Sequence, residues 1–413
     1  MNDAPHDRFD AYAMPIEQMN VADRALFQAD AHWSWFERLR REAPVHYCPD
    51  SEFGPYWSVT KYKDIMAVDT NHKVFSSLST LGGIAIADQR ADFPLPMFIA
   101  MDPPQHDAQR LAVSPIVAPA NLAVLESVIR ERAETILDAL PRGEAFDFVD
   151  RVSIELTTQM LAILFAFPFE DRRKLTRWSD VATAVPGGGV VDSEEQRQAE
   201  LRECAGYFMG LWNQRVNTPG GSDLISMLAH SPATRNMSPQ EFLGNIILLI
   251  VGGNDTTRNS LTGGLYAFSK FPSEWAKLKA NPALMESAVP EIIRWQTPLA
   301  HMRRTALADT ELGGKQIKKG DKVIMWYVSG NRDEEVIENP NALVIDRKRP
   351  RQHLSFGFGI HRCVGNRLAE MQLRIVWEEI LKRDFKIEVL EEPQRVYSAF
   401  IKGYTSMMVK IAA

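Results

Sequence analysis

The sequence predicts a mainly helical α+β fold, a large helical body with small β-sheets. Three observations carry that expectation. Apolar residues recur at three- and four-residue spacing through the middle of the chain. One capped helical pattern runs unbroken over residues 238–271. Strand-like alternation is short and falls toward the two ends.

In chain order, residues 45–47 and 56–60 alternate as strands. Residues 120–140, 150–165 and 194–216 carry helical periodicity without β-branched alternation. Glycine-rich breaks at 186–189 and 219–221 interrupt those patterns. The first lies between helices and reads equally as a mobile lid or a plain surface turn. The longest helix begins at Ser238-Pro239-Gln240-Glu241: serine caps, proline suits the first helical position, and glutamate completes a capping box. Phe271-Pro272 stops it. Its ~33 residues span ~50 Å at ~1.5 Å per residue, enough to cross a whole domain. Further strands are expected at 322–328, 386–390 and 407–411.

Composition bounds the function. The chain has 413 residues, 45% hydrophobic and 24% charged, as in a globular protein with a large core. Without a linker, repeat or low-complexity tract, a single domain over 1–413 is expected. A net charge of -6 with dispersed basic residues argues against nucleic acid as a partner. Cys48, Cys204 and Cys363 lie far apart, which suits a reducing compartment and gives no disulfide framework. Residues 1–8 lack the basic-then-apolar order of a signal peptide. The strongest apolar runs, 160–167 and 246–251, are far shorter than the ~20 residues a bilayer span needs. A cytoplasmic monomer with no membrane span is expected.

A cysteine binds iron well when it is a thiolate, faces a flat cofactor and is sheltered from water. Residues 356–365, Phe-Gly-Phe-Gly-Ile-His-Arg-Cys-Val-Gly, supply those conditions. Gly357, Gly359 and Gly365 allow close backbone approach and unusual φ values. A helix reads from about residue 364, placing Cys363 at its start, where free N–H groups and the dipole favour a thiolate. Phe356 can pack on the cysteine side of a macrocycle, and His361 can bond a propionate. A lone cysteine is more often a small buried hydrophobe. Here the phenylalanine, glycines, histidine and helix start at fixed offsets favour a ligand. A catalytic thiol with His361 as base lacks a third orienting group.

Residues 356–365 resemble the heme-binding signature of the cytochromes P450. Two further segments match that family in order and spacing, so the resemblance covers nearly the whole chain. It implies the cytochrome P450 fold, heme b (iron protoporphyrin IX) as cofactor, and Cys363 as a metal ligand whose thiolate favours O–O cleavage.

Gly252-Gly253-Asn254-Asp255-Thr256-Thr257 stands inside the long helix. Each helical glycine costs roughly 1 kcal/mol relative to alanine, so the pair needs a reason. Thr256 is four residues beyond Gly252, so its hydroxyl can bond the Gly252 carbonyl and open the helix ladder. The residues alone read equally as a kink with a solvated face. The resemblance makes this the oxygen-activation motif, with Gly252 beside the cofactor and Asp255 and Thr256 as the proton-delivery pair.

Two heme propionates require several fixed cations. His106 and Arg110 sit four residues apart after a helix start. Arg304 is the third candidate, with Arg303 open as an offset of one, and His361 completes the set. Glu291 and Arg294 pair at i, i+3. The resemblance implies that they form a buried structural network behind the cysteine loop.

The resemblance also implies a substrate pocket in four pieces: Leu81, Ile84 and Ile86; Leu248, Val251 and Gly252; Leu299, Ala300 and Met302; and Phe400 and Ile401. Residues 248–260 and 400–406 resemble the soluble bacterial class-153 terminal (omega) hydroxylases, which act on medium-chain alkanes and fatty acids. Lys402 reads as an exposed lysine or as a contact for a substrate carboxylate. Without a nucleotide-binding glycine loop, electrons from NAD(P)H must come through external partners. The resemblance implies a ferredoxin and ferredoxin reductase, with Arg362, Arg367 and Arg374 as candidate contacts. Hydroxylation of another apolar substrate such as a terpenoid, peroxide-driven oxidation, and a heme-thiolate sensor are the alternatives.

Overall fold

The computed structural model describes residues 9–89, 92–218 and 220–413. The leader reading over 1–8, and Pro219 of the second glycine-rich break, lie outside the described residues.

The long helix spans Pro239–Lys270, 32 residues, and the Ser238 side chain accepts the N–H of Glu241 as expected, whereas the Glu241 carboxylate accepts from Gln109 instead of closing the capping box. It runs through the main core and packs on helices Glu155–Phe165, Arg173–Thr183, Met285–Gln296 and Asn366–Lys382. The expected helices at 120–140 and 194–216 form as Pro119–Asp138 and Glu194–Arg215. The one expected at 150–165 divides into a π-helical turn, Val149–Ile154, and the α-helix Glu155–Phe165.

The largest sheet has five strands in the order Val45–Cys48, Tyr56–Val59, Lys322–Met325, Met302–Ala306, Phe75–Ser76. Its neighbours pair antiparallel except Tyr56–Val59 with Lys322–Met325, which are parallel. The strand expected over 322–328 stops at Met325, and Tyr327–Gly330 is a helical turn. The cause is tertiary: Trp326 is fully buried, with its indole N–H on Ser58 Oγ at 3.0 Å. A three-stranded sheet joins Ala145–Asp147, Met408–Ile411 and Ile387–Val389. Among the described residues no single helix is long and apolar enough to cross a membrane.

Behind the cysteine loop, Arg294 and Glu291 are both fully buried. Arg294 donates twice to the Glu291 carboxylate, at 2.7 and 2.8 Å, and to the carbonyls of Asn331, Pro340 and Ala342. Arg347 donates to the same carboxylate at 2.8 Å. The pair is therefore a buried network, with its charges hydrogen-bonded as burial requires.

Candidate active site

A cavity of about 610 Å³ lies between the long helix, the cysteine loop, the strand Met302–Ala306, segments 82–89 and 93–99 and the turn 398–401. Gly252 faces it, and a Cβ built there meets nothing within 4 Å. Thr256 also faces it and donates its hydroxyl to the Gly252 carbonyl at 3.0 Å, as the four-residue spacing predicts. The helix stays unbroken across this bond, so the expected opening of the ladder does not occur.

Across the cavity stands Cys363. Its N–H donates to the Phe356 carbonyl at 2.8 Å, closing the loop. Gly357 and Gly359 take φ of +64° and +66°, where side chains are disfavoured. A Cβ on Gly359 would also fall 2.7 Å from the Asp69 carbonyl. Gly365 differs from expectation. Its φ is -88°, and a Cβ would meet only Cys363 Sγ, at an ordinary contact of 4.0 Å, so neither the backbone nor the packing of the protein itself demands glycine there.

The following helix begins at Asn366, with Gly365 as its cap, two residues later than the expected start. Cys363 is open to the cavity but otherwise enclosed by protein. Burial pushes its thiol up, against the opposing pull of the Gly365 N–H, Arg110 and Arg362. The helix start therefore does not secure a thiolate by itself, and a bound cation is what would deprotonate this sulfur.

Arg110, Arg304, Phe356 and His361 line the cavity near Cys363, whereas Arg303 does not. Arg304 is held by Asp69, which accepts from it at 2.7 Å and from the Tyr327 hydroxyl and the Phe358 N–H at 2.9 and 2.8 Å. One buried carboxylate thus ties Arg304 to the cysteine loop. Both ring nitrogens of His361 are buried without partners, as is Nε2 of His106, whose ring lies 4.3 Å from that of His361. His106 stands behind His361, outside the cavity lining. Burial, then Arg304, lowers the basicity of His361 far below the ordinary imidazole value. The donor set fits a heme: a sulfur, two guanidinium groups and an unpartnered imidazole suited to a carboxylate all face the cavity.

Asp255 lies apart from Thr256. It is fully buried and outside the cavity lining, turned toward the helix Arg173–Thr183. Its Oδ1 accepts from Ser179 Oγ at 2.9 Å and from Asn254 Nδ2 at 3.1 Å, and pairs with Arg258 at 3.1 Å. Arg258 also pairs with the partly exposed Asp180. Oδ2 of Asp255 has no partner. Burial pushes the carboxyl up, with Arg258 opposing.

Of the expected substrate contacts, Ile84, Ile86, Leu248, Val251, Leu299, Met302, Phe400 and Ile401 line the cavity. Leu81 does not: its side chain points out, and its carbonyl accepts from Arg303 and Thr305. Ala300 does not either. It packs in a separate cluster with Ile324 and Trp326, while its N–H donates to the Phe400 carbonyl. Sequence reasoning missed Phe93, Leu95, Met97 and Phe98, on an irregular segment without periodicity, and Leu161 and Leu164 of the helix Glu155–Phe165. Lys402 fits neither of its readings. It is buried away from the cavity, and its ammonium donates to the Gln296 carbonyl at 2.8 Å. Arg362 and Arg367 are exposed, whereas Arg374 is engaged by Glu126 and Glu378.

Comparison with known proteins agrees with this geometry. The family model described as Cytochrome P450 matches residues 144–403. The structure resembles Cytochrome P450-153 from Novosphingobium aromaticivorans, with 49% identity and a TM-score of 0.89 over 95% of this chain and 99% of that one. CYP153D17 from Sphingomonas sp. PAMC 26605 matches with 48% identity and a TM-score of 0.89 over 98% of this chain and 100% of that one. Linalool 8-monooxygenase of Pseudomonas putida is 35% identical over 404 residues, 95% of this chain and 99% of that protein. With the cysteine loop, the glycine-bearing long helix and the cavity between them, these matches establish that the chain belongs to the cytochrome P450 family, monooxygenases that use heme and externally supplied electrons.

Proposed function

We propose that the protein hydroxylates the terminal carbon of medium-chain alkanes or fatty acids. The likeness to the two class-153 structures, at 49% and 48% identity over nearly the whole chain, is the observation that carries this reading. The aliphatic wall formed by Ile84, Ile86, Leu248, Val251, Leu299 and Met302 supports it. Such a wall offers a linear chain apolar contact without a polar partner to lose.

When bound, the heme supplies dioxygen activation and insertion of one oxygen atom into a C–H bond. Cys363 Sγ is the group that would bind its iron. Arg110, Arg304 and His361 would hold its propionates, with His106 braced against His361. Phe356 would pack against the heme beside Cys363, and Gly252 would leave room in the cavity for dioxygen. Thr256 Oγ1, anchored on the Gly252 carbonyl, orients water in that space. Asp255, whose carboxyl burial makes easier to protonate, is the proposed proton source, supplying that water from the Arg173–Thr183 side of the helix. Electrons come from NAD(P)H through a ferredoxin reductase and ferredoxin, which docks on the side of exposed Arg362 and Arg367. The free cysteines, Cys48, Cys204 and Cys363, suit a cytoplasmic monomer.

Product analysis with octane, decane and dodecanoate tests the reading. Terminal alcohols are expected; exclusively internal products, or no binding shift with any of the three, would contradict it. Oxidation of a terpenoid is the second reading, favoured by the likeness to linalool 8-monooxygenase. Linalool as the preferred substrate would decide for it.

A further inference from the structure

Two irregular segments wall the substrate end of the cavity, 84–88 and 398–401, and a single imidazole joins them. His301 is fully buried. Its Nε2 lies 3.1 Å from the backbone nitrogen of Ile86, and its Nδ1 lies 2.9 Å from the carbonyl of Ala399. A backbone N–H only donates and a carbonyl only accepts. The ring is therefore neutral, with its proton on Nδ1 and its lone pair on Nε2. Burial favours the same form, pulling the basicity down to about 4. The ring is fixed edgewise by Trp326 and Phe400, at 4.8 and 5.2 Å between centroids.

The strand alternation explains the division of labour. Met302 and Arg304 face the cavity, while His301 and Arg303 project from the other side. Arg303 donates its backbone N–H to the Ile84 carbonyl at 2.8 Å, and its guanidinium to the Leu81 carbonyl and the Asp88 carboxylate. Lys322 reaches the Ile86 carbonyl at 3.1 Å and Asp88 at 3.3 Å. These contacts hold segment 81–88 to the sheet. His301 alone among them also grips the C-terminal turn, whose Phe400 and Ile401 form the facing wall.

We propose that His301 is a specificity-determining positioning residue, a neutral two-way brace that sets the spacing between the Ile86 and Phe400 walls and so selects which carbon reaches the space above Cys363. It does not touch the substrate. The inference rests on reading the cavity as the substrate site. A small displacement of either wall changes which C–H bond is presented, and reactions are sensitive to misplacement on the scale of ~1 Å.

Three heme-loaded, full-length proteins test it: wild type, His301→Phe and His301→Gln. Phenylalanine keeps a ring for Trp326 and Phe400 but loses both hydrogen bonds. Glutamine can still accept from the Ile86 N–H through its side-chain oxygen. In His301→Phe, deuterium exchange is expected to rise about tenfold in peptides covering 84–88, where the Ile86 N–H loses its acceptor, and to rise in 398–402, where the turn loses its anchor at the Ala399 carbonyl and opens more often. In His301→Gln it rises only in 398–402. The carbon monoxide difference band is retained in both. In His301→Phe the terminal-to-internal product ratio from decane falls at least about fivefold, and 1-dodecylimidazole weakens about tenfold relative to imidazole. Unchanged exchange in either segment of His301→Phe would overturn the proposal. So would loosened segments with an unchanged ratio of the two imidazole affinities. If wild type does not oxidise decane, the chain-end reading fails by itself, and exchange with the imidazole ratio still decides the brace.

Discussion

Ser179 Oγ lies 2.9 Å from Asp255 Oδ1, so the carboxylate of the long helix is held from the helix Arg173–Thr183 and not from the cavity. Arg258, paired with both Asp255 and Asp180, completes a clamp between the two helices. Thr256, the next residue, faces the cavity. The two members of the motif therefore sit on different sides of one helix.

If Asp255 delivers protons from this position, Asp255→Asn removes the titratable group and keeps the shape. Product formation is expected to fall about 100-fold, the lower end of the usual effect of a general acid. The solvent deuterium isotope effect should rise, with substrate binding unchanged. Turnover within about twofold of wild type would contradict the role.

Gly252 and Gly264 separate function from packing on the same helix. A Cβ on Gly252 meets nothing, so Gly252→Ala should stabilise by about 1 kcal/mol through helix propensity while crowding the space above Cys363. On Gly264 a Cβ would lie 2.8 Å from Trp377 and 3.0 Å from Ile292, both fully buried, so Gly264→Ala should cost about 1–3 kcal/mol. Thermal unfolding and turnover of both variants check this. A loss of stability in Gly252→Ala would refute the reading of open space.

Glu291→Gln leaves Arg294 buried without its compensating charge. Unfolding free energy is expected to drop by about 3–5 kcal/mol, with earlier heme loss in denaturant. A change below about 1 kcal/mol would mean that the carbonyl bonds of Arg294 suffice.

Lys402 gives a pH signature. Burial lowers its ammonium to about 7, whereas an unfolded lysine titrates near ~10.4. Between those values the unfolded chain binds more protons, so stability rises with pH and is lost as pH falls toward 7, by up to about 1.4 kcal/mol per pH unit. Urea unfolding of wild type and Lys402→Met from pH 7 to 9 should show a difference that shrinks as pH rises. A constant difference would contradict the buried, neutralising lysine.

The features legible in the sequence are those that local geometry fixes. The cap at Ser238, the stop at Phe271 and the Thr256–Gly252 bond follow from helix spacing, and the turns at Gly357 and Gly359 follow from positive φ. What depends on distant segments was not legible. The direction of Asp255 is decided by Ser179, 76 residues away, and the strand end at Trp326 by Ser58, 268 residues away. Leu81 and Ala300 have the right composition for a pocket, but their backbone directions turn the side chains from it. His301 showed no local signal, since its partners lie 215 and 98 residues away.

The central claim is the bond from Cys363 to heme iron, and the carbon monoxide spectrum of the reduced protein tests it most directly. Wild type should show the red-shifted thiolate band, and Cys363→Ala should lose it while keeping its helical circular dichroism. A wild-type protein without that band, or a Cys363→Ala protein that retains it, would contradict the account.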